Sequence, residues 1–303
     1  MKHTIHCLTI ALATLLSAAL AHGQNLFEAD TGSGNIYEFT PNGGSSTFAS
    51  GLDNPGALAF NSAGNLFVAD LSGNIYEFTP NGGSSTFASG LVCSYALAFN
   101  SAGNLFAADF GNGINGNIYE FTPNGGSSTF ASGLAVPWGL AFNSAGNLFE
   151  ADWDSGNIFE FTPNGGSSTF ASGLDGPRGL AFNSAGDLFE ADQGGGRNNG
   201  SLYKFTPNGG SSTFASGLSF PTGPAFNSAG NLFEADLGSG NIYEFTPGGG
   251  SNTFASGLDQ PWGLAFQPVP EPSTWVMVGL GAVALLAPIR SGFVFRRSKK
   301  ESR

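Results

Sequence analysis

A unit of about 40 residues recurs six times along this 303-residue chain, and this repetition limits the possible folds more than any other feature. The segment Asn-Leu-Phe-x-Ala-Asp recurs at intervals of 40, 39, 43, 40 and 44 residues, with Asp replacing the first Asn in the fifth copy. Three further segments follow in every copy, with small variations: Asn-Ile-Tyr-Glu-Phe-Thr-Pro, Ser-Thr-Phe-Ala-Ser-Gly-Leu and Pro-x-Gly-Leu-Ala-Phe. Such a period is typical of architectures in which each unit packs against its neighbours.

The four segments of each unit are too short for helices and have the length of β-strands. Asn-Ser-Ala-Gly links the first and second strands of a unit, and Pro-Asn-Gly-Gly links the third and fourth. Both are turn sequences, because Asn and Gly tolerate positive φ. Of the 29 phenylalanines, 24 occupy four fixed positions, one in each strand. The pattern predicts four antiparallel strands per unit, with phenylalanines packed between neighbouring sheets.

Six units of four strands predict an all-β fold, a six-bladed β-propeller of four-stranded blades spanning residues 24–267. The chain enters at a second strand, residues 25–29, and leaves the propeller after a first strand, residues 262–266. Pairing of these two segments would complete the first blade and close the ring without an open edge. The alternative is a linear β-solenoid, which would need polar caps at its ends, and neither end has one.

Residues 137–142 read Pro-Trp-Gly-Leu-Ala-Phe, and residues 146–152 read Gly-Asn-Leu-Phe-Glu-Ala-Asp. These segments resemble NHL-type propeller repeats, and the resemblance extends over all six units. It implies a six-bladed propeller. It implies no particular activity, because this fold supports binding modules, scaffolds and enzymes.

Both ends of the chain have the patterns of targeting segments. Residues 1–23 resemble a secretory signal peptide, with Lys2, an apolar run over residues 7–20 and an Ala-Leu-Ala cleavage pattern at 19–21. Residues 268–303 contain Pro270-Glu271-Pro272, an apolar stretch at 276–289 and a basic tail.

This C-terminal arrangement resembles the PEP-CTERM sorting signal of Gram-negative bacteria. The resemblance implies an exosortase-type membrane protease as a partner and cleavage near Pro270, Glu271 and Pro272. It also implies a transmembrane helix that holds the chain transiently in the inner membrane, before delivery to the outer surface or the extracellular matrix. A plain C-terminal membrane anchor is the alternative.

The predicted propeller is strongly acidic. Residues 24–267 contain 20 acidic residues and three basic ones, a net charge of −17. This charge disfavours nucleic acid as a partner and favours cations and basic molecules. The same region contains no histidine, which excludes histidine-dependent catalysis within it. Its one cysteine, Cys93, cannot form an internal disulfide there.

Two sets of carboxylates are candidates for a metal site, which would hold a divalent cation such as calcium. The second strand of every unit ends in an aspartate, and turn capping is the simpler interpretation of this set. Asp152 and Asp154 weakly resemble part of a calcium loop. Four copies place a glutamate two positions before that aspartate: Glu28, Glu150, Glu190 and Glu234. Because burying an unpaired carboxylate is costly, we expect these glutamates to line a wet central channel or to bind a cation.

Val68 and Ala107 replace the glutamate in the other two units, which argues against a complete symmetric site. A third acidic set lies on the third strands, where Lys204 interrupts the pattern. We expect it to be a solvated or inter-blade polar position. Its members are Glu38, Glu77, Glu120, Glu160 and Glu244.

The links that differ among the units join the second and third strands, and join one blade to the next. Both kinds lie on one face of a four-stranded blade, so this is the predicted ligand face. The alternative is that these links differ through neutral drift, because loops tolerate changes in length. Its candidate residues are Trp138, Trp153, Arg178 and Trp262, whose rings either stack on a ligand or pack within the propeller.

We expect a non-enzymatic binding or scaffold module of the cell surface or matrix, with a polysaccharide or surface protein as its partner. One alternative is a metal-dependent hydrolase or lactonase resembling gluconolactonase-like propellers. Its metal ligands would be chosen from Glu28, Glu150, Glu190, Glu234 and Asn54. A second alternative is a purely structural ring stabilised by cations.

Overall fold

The computed structural model describes residues 23–111 and 115–269, which form 24 β-strands in six four-stranded antiparallel sheets. Blade 1 contains β24 (Pro261–Phe266), β1 (Leu26–Asp30), β2 (Asn35–Phe39) and β3 (Ser45–Ala49). Blade 2 contains β4 (Pro55–Phe60), β5 (Leu66–Asp70), β6 (Asn74–Phe78) and β7 (Ser84–Ser89). Blade 3 contains β8 (Ser94–Phe99), β9 (Leu105–Asp109), β10 (Gly116–Phe121) and β11 (Ser127–Leu134).

Blade 4 contains β12 (Pro137–Phe142), β13 (Leu148–Asp152), β14 (Asn157–Phe161) and β15 (Ser167–Ser172). Blade 5 contains β16 (Pro177–Phe182), β17 (Leu188–Asp192), β18 (Gly200–Phe205) and β19 (Ser211–Leu218). Blade 6 contains β20 (Pro221–Phe226), β21 (Leu232–Asp236), β22 (Asn241–Phe245) and β23 (Ser251–Ser256). The predicted six-bladed propeller of four-stranded blades is therefore confirmed.

Pairing of the first and last strands closes the ring, as predicted. β1 and β24 are antiparallel, with Leu26 opposite Phe266 and Glu28 opposite Leu264. The backbone N–H of Gln267 donates to the carbonyl oxygen of Asn25 at 2.9 Å, which extends this pairing. Blade 1 is thus built from both ends of the propeller.

Strand position within a blade determines burial. The first strands of neighbouring blades contact one another around the axis, so they form the inner wall. The second strands are buried on both faces, as in Leu66–Asp70, where all five residues are buried. The fourth strands form the outer edge, and their Ser-Ser-Thr segments are exposed.

Phenylalanines fill the interfaces between blades. Between blades 1 and 2, the Phe27 ring meets Phe48 and Phe60 edge-to-face at centroid distances of 5.0 and 5.1 Å. The same geometry recurs at the other interfaces, for example around Phe149. Edge-to-face pairs are a preferred arrangement of aromatic rings, and each buried phenylalanine contributes roughly 1.5–3 kcal/mol of transfer free energy. The repeated phenylalanines therefore form the predicted packing layer.

Close approach of the inner strands requires glycine at several positions. A Cβ atom on Gly139 would lie 1.9 Å from the carbonyl oxygen of Arg178 on the next blade. Ala57 and Ala96 occupy the corresponding positions of blades 2 and 3, so the ring is not exactly six-fold symmetric.

The two kinds of variable link lie together on one face, here called the variable-loop face. Links between second and third strands donate backbone hydrogen bonds to the inter-blade links. Examples are Leu71 to Asp53 and Trp153 to Val136, both at 2.9 Å. The prediction that these links share a face is confirmed.

Residues 1–22 and 270–303, which include most of the predicted signal peptide and sorting segment, lie outside the described residues. Within residues 23–111 and 115–269, no helix is long and apolar enough to cross a membrane.

Candidate functional site

Four side chains meet where the channel opens on the variable-loop face. They are the second residues of four first strands and form what we call the mouth cluster: Tyr95, Trp138, Arg178 and Trp262. The Tyr95 and Trp138 rings stack with a centroid distance of 4.2 Å and an interplanar angle of 2°. The Trp262 ring is nearly parallel to both, at 5.6 Å from Tyr95 and 5.5 Å from Trp138. The three aromatic residues are half-buried, so the cluster presents an apolar surface to solvent.

Arg178 places a positive charge against these rings. Its guanidinium carbon lies 4.9 Å from the centre of the Trp138 ring and 5.6 Å from that of Trp262. Both distances are within the range of cation–π attraction. Only 8% of the residue is exposed, and burial lowers its pKa to about 10, so it stays protonated at neutral pH.

Hydrogen bonding to Arg178 is incomplete. Its Nη2 donates to Oε1 of Gln193 at 2.8 Å. Its Nε and Nη1, and also Nε1 of Trp138, are buried without a protein acceptor. Because unpartnered buried donors are costly, these three groups destabilise the mouth cluster until an acceptor reaches them.

A small cavity of about 110 Å³ lies in the channel behind the rings. Its lining includes Tyr95, Trp138, Thr222 and Trp262, together with leucines and glycine backbone of the first strands. It has room for a few water molecules but not for a sugar ring. Larger ligands therefore have access to the outer surface of the cluster rather than to the channel.

A second recess on the same face lies between blades 4 and 5. This blade 4–5 cleft has a volume of about 300 Å³ and is lined by Trp153, Asp154, Asp175, Gly176, Gln193 and Gly195. Nε1 of Trp153 donates to Oε1 of Gln193 at 3.0 Å, and the Trp153 ring lies 6.1 Å from that of Trp138. The cleft and the mouth cluster are thus parts of one continuous surface. The structure brings together all four residues of the predicted ligand face: Trp138, Trp153, Arg178 and Trp262.

The strand-end aspartates cap turns. In Asp236, Oδ2 accepts the backbone N–H of Ser219 at 2.6 Å and Oδ1 accepts that of Ser239 at 2.9 Å. Asp152 likewise accepts the backbone N–H groups of Ala135 and Ser155. Each of these aspartates therefore connects two loops through hydrogen bonds: the inter-blade link that precedes its blade and the loop that follows its own strand. The sequence interpretation of these residues as turn caps is therefore confirmed.

The strand glutamates do not line a wet channel, so that expectation was wrong. Glu28, Glu150, Glu190 and Glu234 are each 0% exposed. They lie on second strands, whose side chains point towards neighbouring blades, whereas residues of the first strands line the channel cavity. Burial raises the pKa of all four carboxyls well above the usual value, and the charge of the nearby strand-end aspartate raises it further.

Seven of the eight oxygen atoms of these glutamates have no hydrogen-bond partner, the exception being Oε1 of Glu234. Within residues 23–111 and 115–269, no three Asp, Glu, His or Cys side chains are grouped so that they could hold a metal ion. Asp152 and Asp154 do not converge on one point, because Asp152 is buried in its cap and Asp154 is exposed in the cleft.

The third-strand glutamates have partners that the sequence pattern did not reveal. Glu38 accepts a hydrogen bond from the side chain of Asn25 at 2.6 Å, and four other blades repeat this Asn–Glu pair. In blade 5, Nζ of Lys204 forms a salt bridge with Asp187 at 2.7 Å. Asp187 and Lys204 stand where the other blades have Asn and Glu. The salt bridge in blade 5 therefore takes the place of the Asn–Glu hydrogen bond.

Tyr95, Gln193 and Thr222 belong to the site but were not among the predicted ligand-face residues. An alignment of the six repeats could have identified all three residues. Tyr95 and Thr222 are at the repeat position of Trp138, and Gln193 is at that of Trp153. Thr222 is buried and joins blades 6 and 1, since its hydroxyl donates to the carbonyl oxygen of Trp262 at 2.9 Å.

No protein-family model and no curated protein matches this sequence. Solved structures do match its fold. A chain of a nidogen/laminin complex is 19% identical with a TM-score of 0.72, covering 82% of this chain and 100% of that one. XC5397 of Xanthomonas campestris, described as a gluconolactonase, is 17% identical with a TM-score of 0.63, covering 70% and 79%. A Bacteroides caccae protein of unknown function is 14% identical with a TM-score of 0.64, covering 82% and 100%. At these identities the likeness establishes the propeller fold alone.

Proposed function

We propose that this chain is a non-enzymatic binding propeller that engages an extracellular polymer or surface protein through its variable-loop face. The mouth cluster is the observation that carries the proposal. It combines three half-buried aromatic rings with a buried cation whose donors are incompletely used. Aromatic residues and arginine are the side chains enriched where proteins bind their partners.

The arrangement of carboxylates supports binding over metal-dependent hydrolysis. A metal at the channel mouth would need carboxylates that reach it, but the four glutamates are enclosed at inter-blade interfaces. The neighbours include a nidogen/laminin complex as well as gluconolactonases, so the fold accommodates both kinds of protein. The accessible groups of this face are aromatic, polar and acidic ones that suit adhesion.

Binding can be tested by co-sedimentation of the full-length chain with insoluble polysaccharides and with purified cell-surface material. We expect Trp262→Ala to raise the apparent Kd, obtained from the bound fraction over a range of polymer concentrations, by about tenfold, which equals about 1.4 kcal/mol. Asn252→Ala, on the exposed outer strand β23, is the control and should bind as the unaltered chain does. Equal binding by Trp262→Ala, with its melting temperature unchanged, would refute the role of the mouth cluster.

We also propose that the chain is an NHL-type repeat protein exported by its signal peptide and sorted by a PEP-CTERM segment. Support comes from the sequence of residues 1–23 and 268–303 described above. In a Gram-negative host with an exosortase-type protease, the propeller should reach the outer surface or medium in a shortened form. Replacing Pro270, Glu271 and Pro272 with alanine should leave it in the inner membrane with its C-terminal segment still attached. Unchanged processing of that variant would show that this motif is not the signal.

A further inference from the structure

We infer that the blade 4–5 cleft binds a cationic amino sugar within a polymer, an inference that rests on the proposed binding function of the variable-loop face. The cleft has the size of a small ligand site, since its volume of about 300 Å³ is at the lower end of the usual range. Three chemically different groups line it: an indole ring, an amide and two carboxylates.

Trp153 provides a fixed flat wall. Its Nε1 donates to Oε1 of Gln193 at 3.0 Å, and this bond holds the orientation of the ring. The ring is half-buried and packs beside Trp138, so little conformational entropy would be lost on binding. A flat apolar wall of this kind suits the apolar face of a pyranose ring.

Gln193 provides a donor. Its Oε1 accepts from both Trp153 and Arg178, at 3.0 and 2.8 Å, which determines the orientation of the amide. Its Nε2 is therefore left with two N–H groups for a ligand hydroxyl or ring oxygen.

The charge of the cleft favours a cation. Asp154 and Asp175 are exposed in its lining. The elements that form the cleft also carry Asp152 and Asp192, so four aspartates oppose two arginines, Arg178 and Arg197, and the net charge is −2. A neutral sugar would use the indole and the amide but would leave the carboxylate pair without a positive charge. A basic peptide would use the carboxylates but has no rigid flat face to match the indole. An amino sugar satisfies all three groups, because an ammonium adjoins a pyranose ring.

The other blade junctions provide a matched control. Between blades 1 and 2, the positions of Trp153, Asp154 and Gln193 hold Thr31, Gly32 and Leu71. Of the residues compared, the two junctions share only the aspartate of the inter-blade link, which is Asp53 between blades 1 and 2 and Asp175 in the cleft. Asp53→Asn therefore removes an exposed carboxylate from an equivalent position that has no aromatic wall.

Calorimetric titration of the full-length chain tests the inference. The probes are a glucosamine hexamer, its fully N-acetylated form and hexalysine, each at low and high salt. We expect the glucosamine hexamer to bind most tightly and to weaken with salt. We expect the Asp154→Asn/Asp175→Asn variant to lose about tenfold in affinity, whereas Asp53→Asn loses nothing. Trp153→Phe should keep the fold and bind more weakly, with melting temperatures showing that each variant is folded.

Each contrary result refutes a defined part of the inference. Equal affinity for the N-acetylated hexamer would refute the role of the charge, and equal affinity for hexalysine would refute the role of the sugar ring. If the glucosamine hexamer does not bind while Trp262→Ala still weakens polymer co-sedimentation, this inference fails and the proposed binding function stands. If neither assay shows binding, both fail.

Discussion

Replacing Glu150 with valine should stabilise the propeller at neutral pH. Glu150 is 0% exposed and neither of its carboxyl oxygens has a hydrogen-bond partner. Val68 and Ala107 occupy the same repeat position in two other blades, so the fold accepts an apolar side chain there. Removing a buried polar group that lacks a partner is expected to be worth about 1–3 kcal/mol.

The pH dependence follows from the direction of the pKa shift. Burial raises the pKa of Glu150 in the folded state above the value of about 4.3 expected in the unfolded chain. At a pH between the pKa of Glu150 in the unfolded chain and its pKa in the folded state, the folded protein holds a proton that the unfolded chain has lost. The contribution of Glu150 to the free energy of unfolding is therefore fully present below about pH 4.3. It declines by about 1.4 kcal/mol per pH unit as the pH rises towards the pKa of Glu150 in the folded state. Glu28, Glu190 and Glu234 act in the same direction, as does Asp192, whose pKa burial also raises.

Differential scanning calorimetry at pH 4.5, 5.5, 6.5 and 7.5 would measure this effect. For a domain of this size, about 1 kcal/mol corresponds to a change in Tm of about 2–4 °C. Glu150→Val should melt higher than the unaltered chain by an amount that grows with pH. Glu150→Gln should also lose the pH dependence of this position, but it keeps an unpartnered polar group and should be the less stable variant. Asp154→Asn removes an exposed carboxylate and serves as the control for the loss of a surface charge.

Two results would refute this reasoning. One is a loss of more than about 1 kcal/mol in Glu150→Val at pH 7.5, which would mean that the carboxylate has a stabilising role. The other is a Tm of the unaltered chain that rises from pH 5.5 to 7.5. Four buried carboxyls with raised pKa values should instead make the Tm fall over this range.

Three other predictions concern single contacts. Lys204→Glu should destabilise blade 5 by less than about 1 kcal/mol because the ion pair is partly exposed. Adding Asp187→Asn should restore the stability by recreating the Asn–Glu pair of the other blades, and a double-mutant cycle by thermal melting would measure the coupling. Gly139→Ala should cost about 1–3 kcal/mol, because its Cβ would lie 1.9 Å from the Arg178 carbonyl oxygen; an unchanged Tm would contradict the close approach of the inner strands. Asp236→Ala removes the acceptor of the Ser219 and Ser239 N–H groups and should cost about 1.5–3 kcal/mol. Faster amide hydrogen exchange at Ser219 and Ser239 would confirm its cause, and unaltered exchange would contradict it.

The fold could be predicted in detail because the repeat removes most of the ambiguity of a single sequence. Six aligned copies showed the strands, the turns and the phenylalanine layer, and the incomplete units at the two ends predicted the pairing of β1 with β24. Predicted boundaries differed from the observed ones by one residue, with β1 spanning Leu26–Asp30 and β24 spanning Pro261–Phe266.

The environment of the strand glutamates could not be predicted in the same way. Alternation along a strand shows that Glu28 and Leu26 share a face, but it does not show what covers that face. In this propeller the second strands are covered on both faces by neighbouring blades, so a carboxyl expected in water is buried. The mouth cluster was also only partly predictable. The sequence placed its tryptophans on one face, but the contact with Tyr95 depends on four strands converging at the axis.

Closure of the ring has a consequence for how the protein is made. The hydrogen bond between Gln24 and Gln267 joins positions 243 residues apart, and β24 is the last strand of the propeller to be synthesised. Contacts of such long range form slowly, and until they form β1 has an unpaired edge open to association with other chains. A chain that stops before residue 261 would not be a smaller ring but an open one, with an exposed edge prone to aggregation. Pairing of the final strand with β1 is therefore expected to protect a newly made molecule from edge-to-edge association, in addition to any part that the face of the propeller plays in binding.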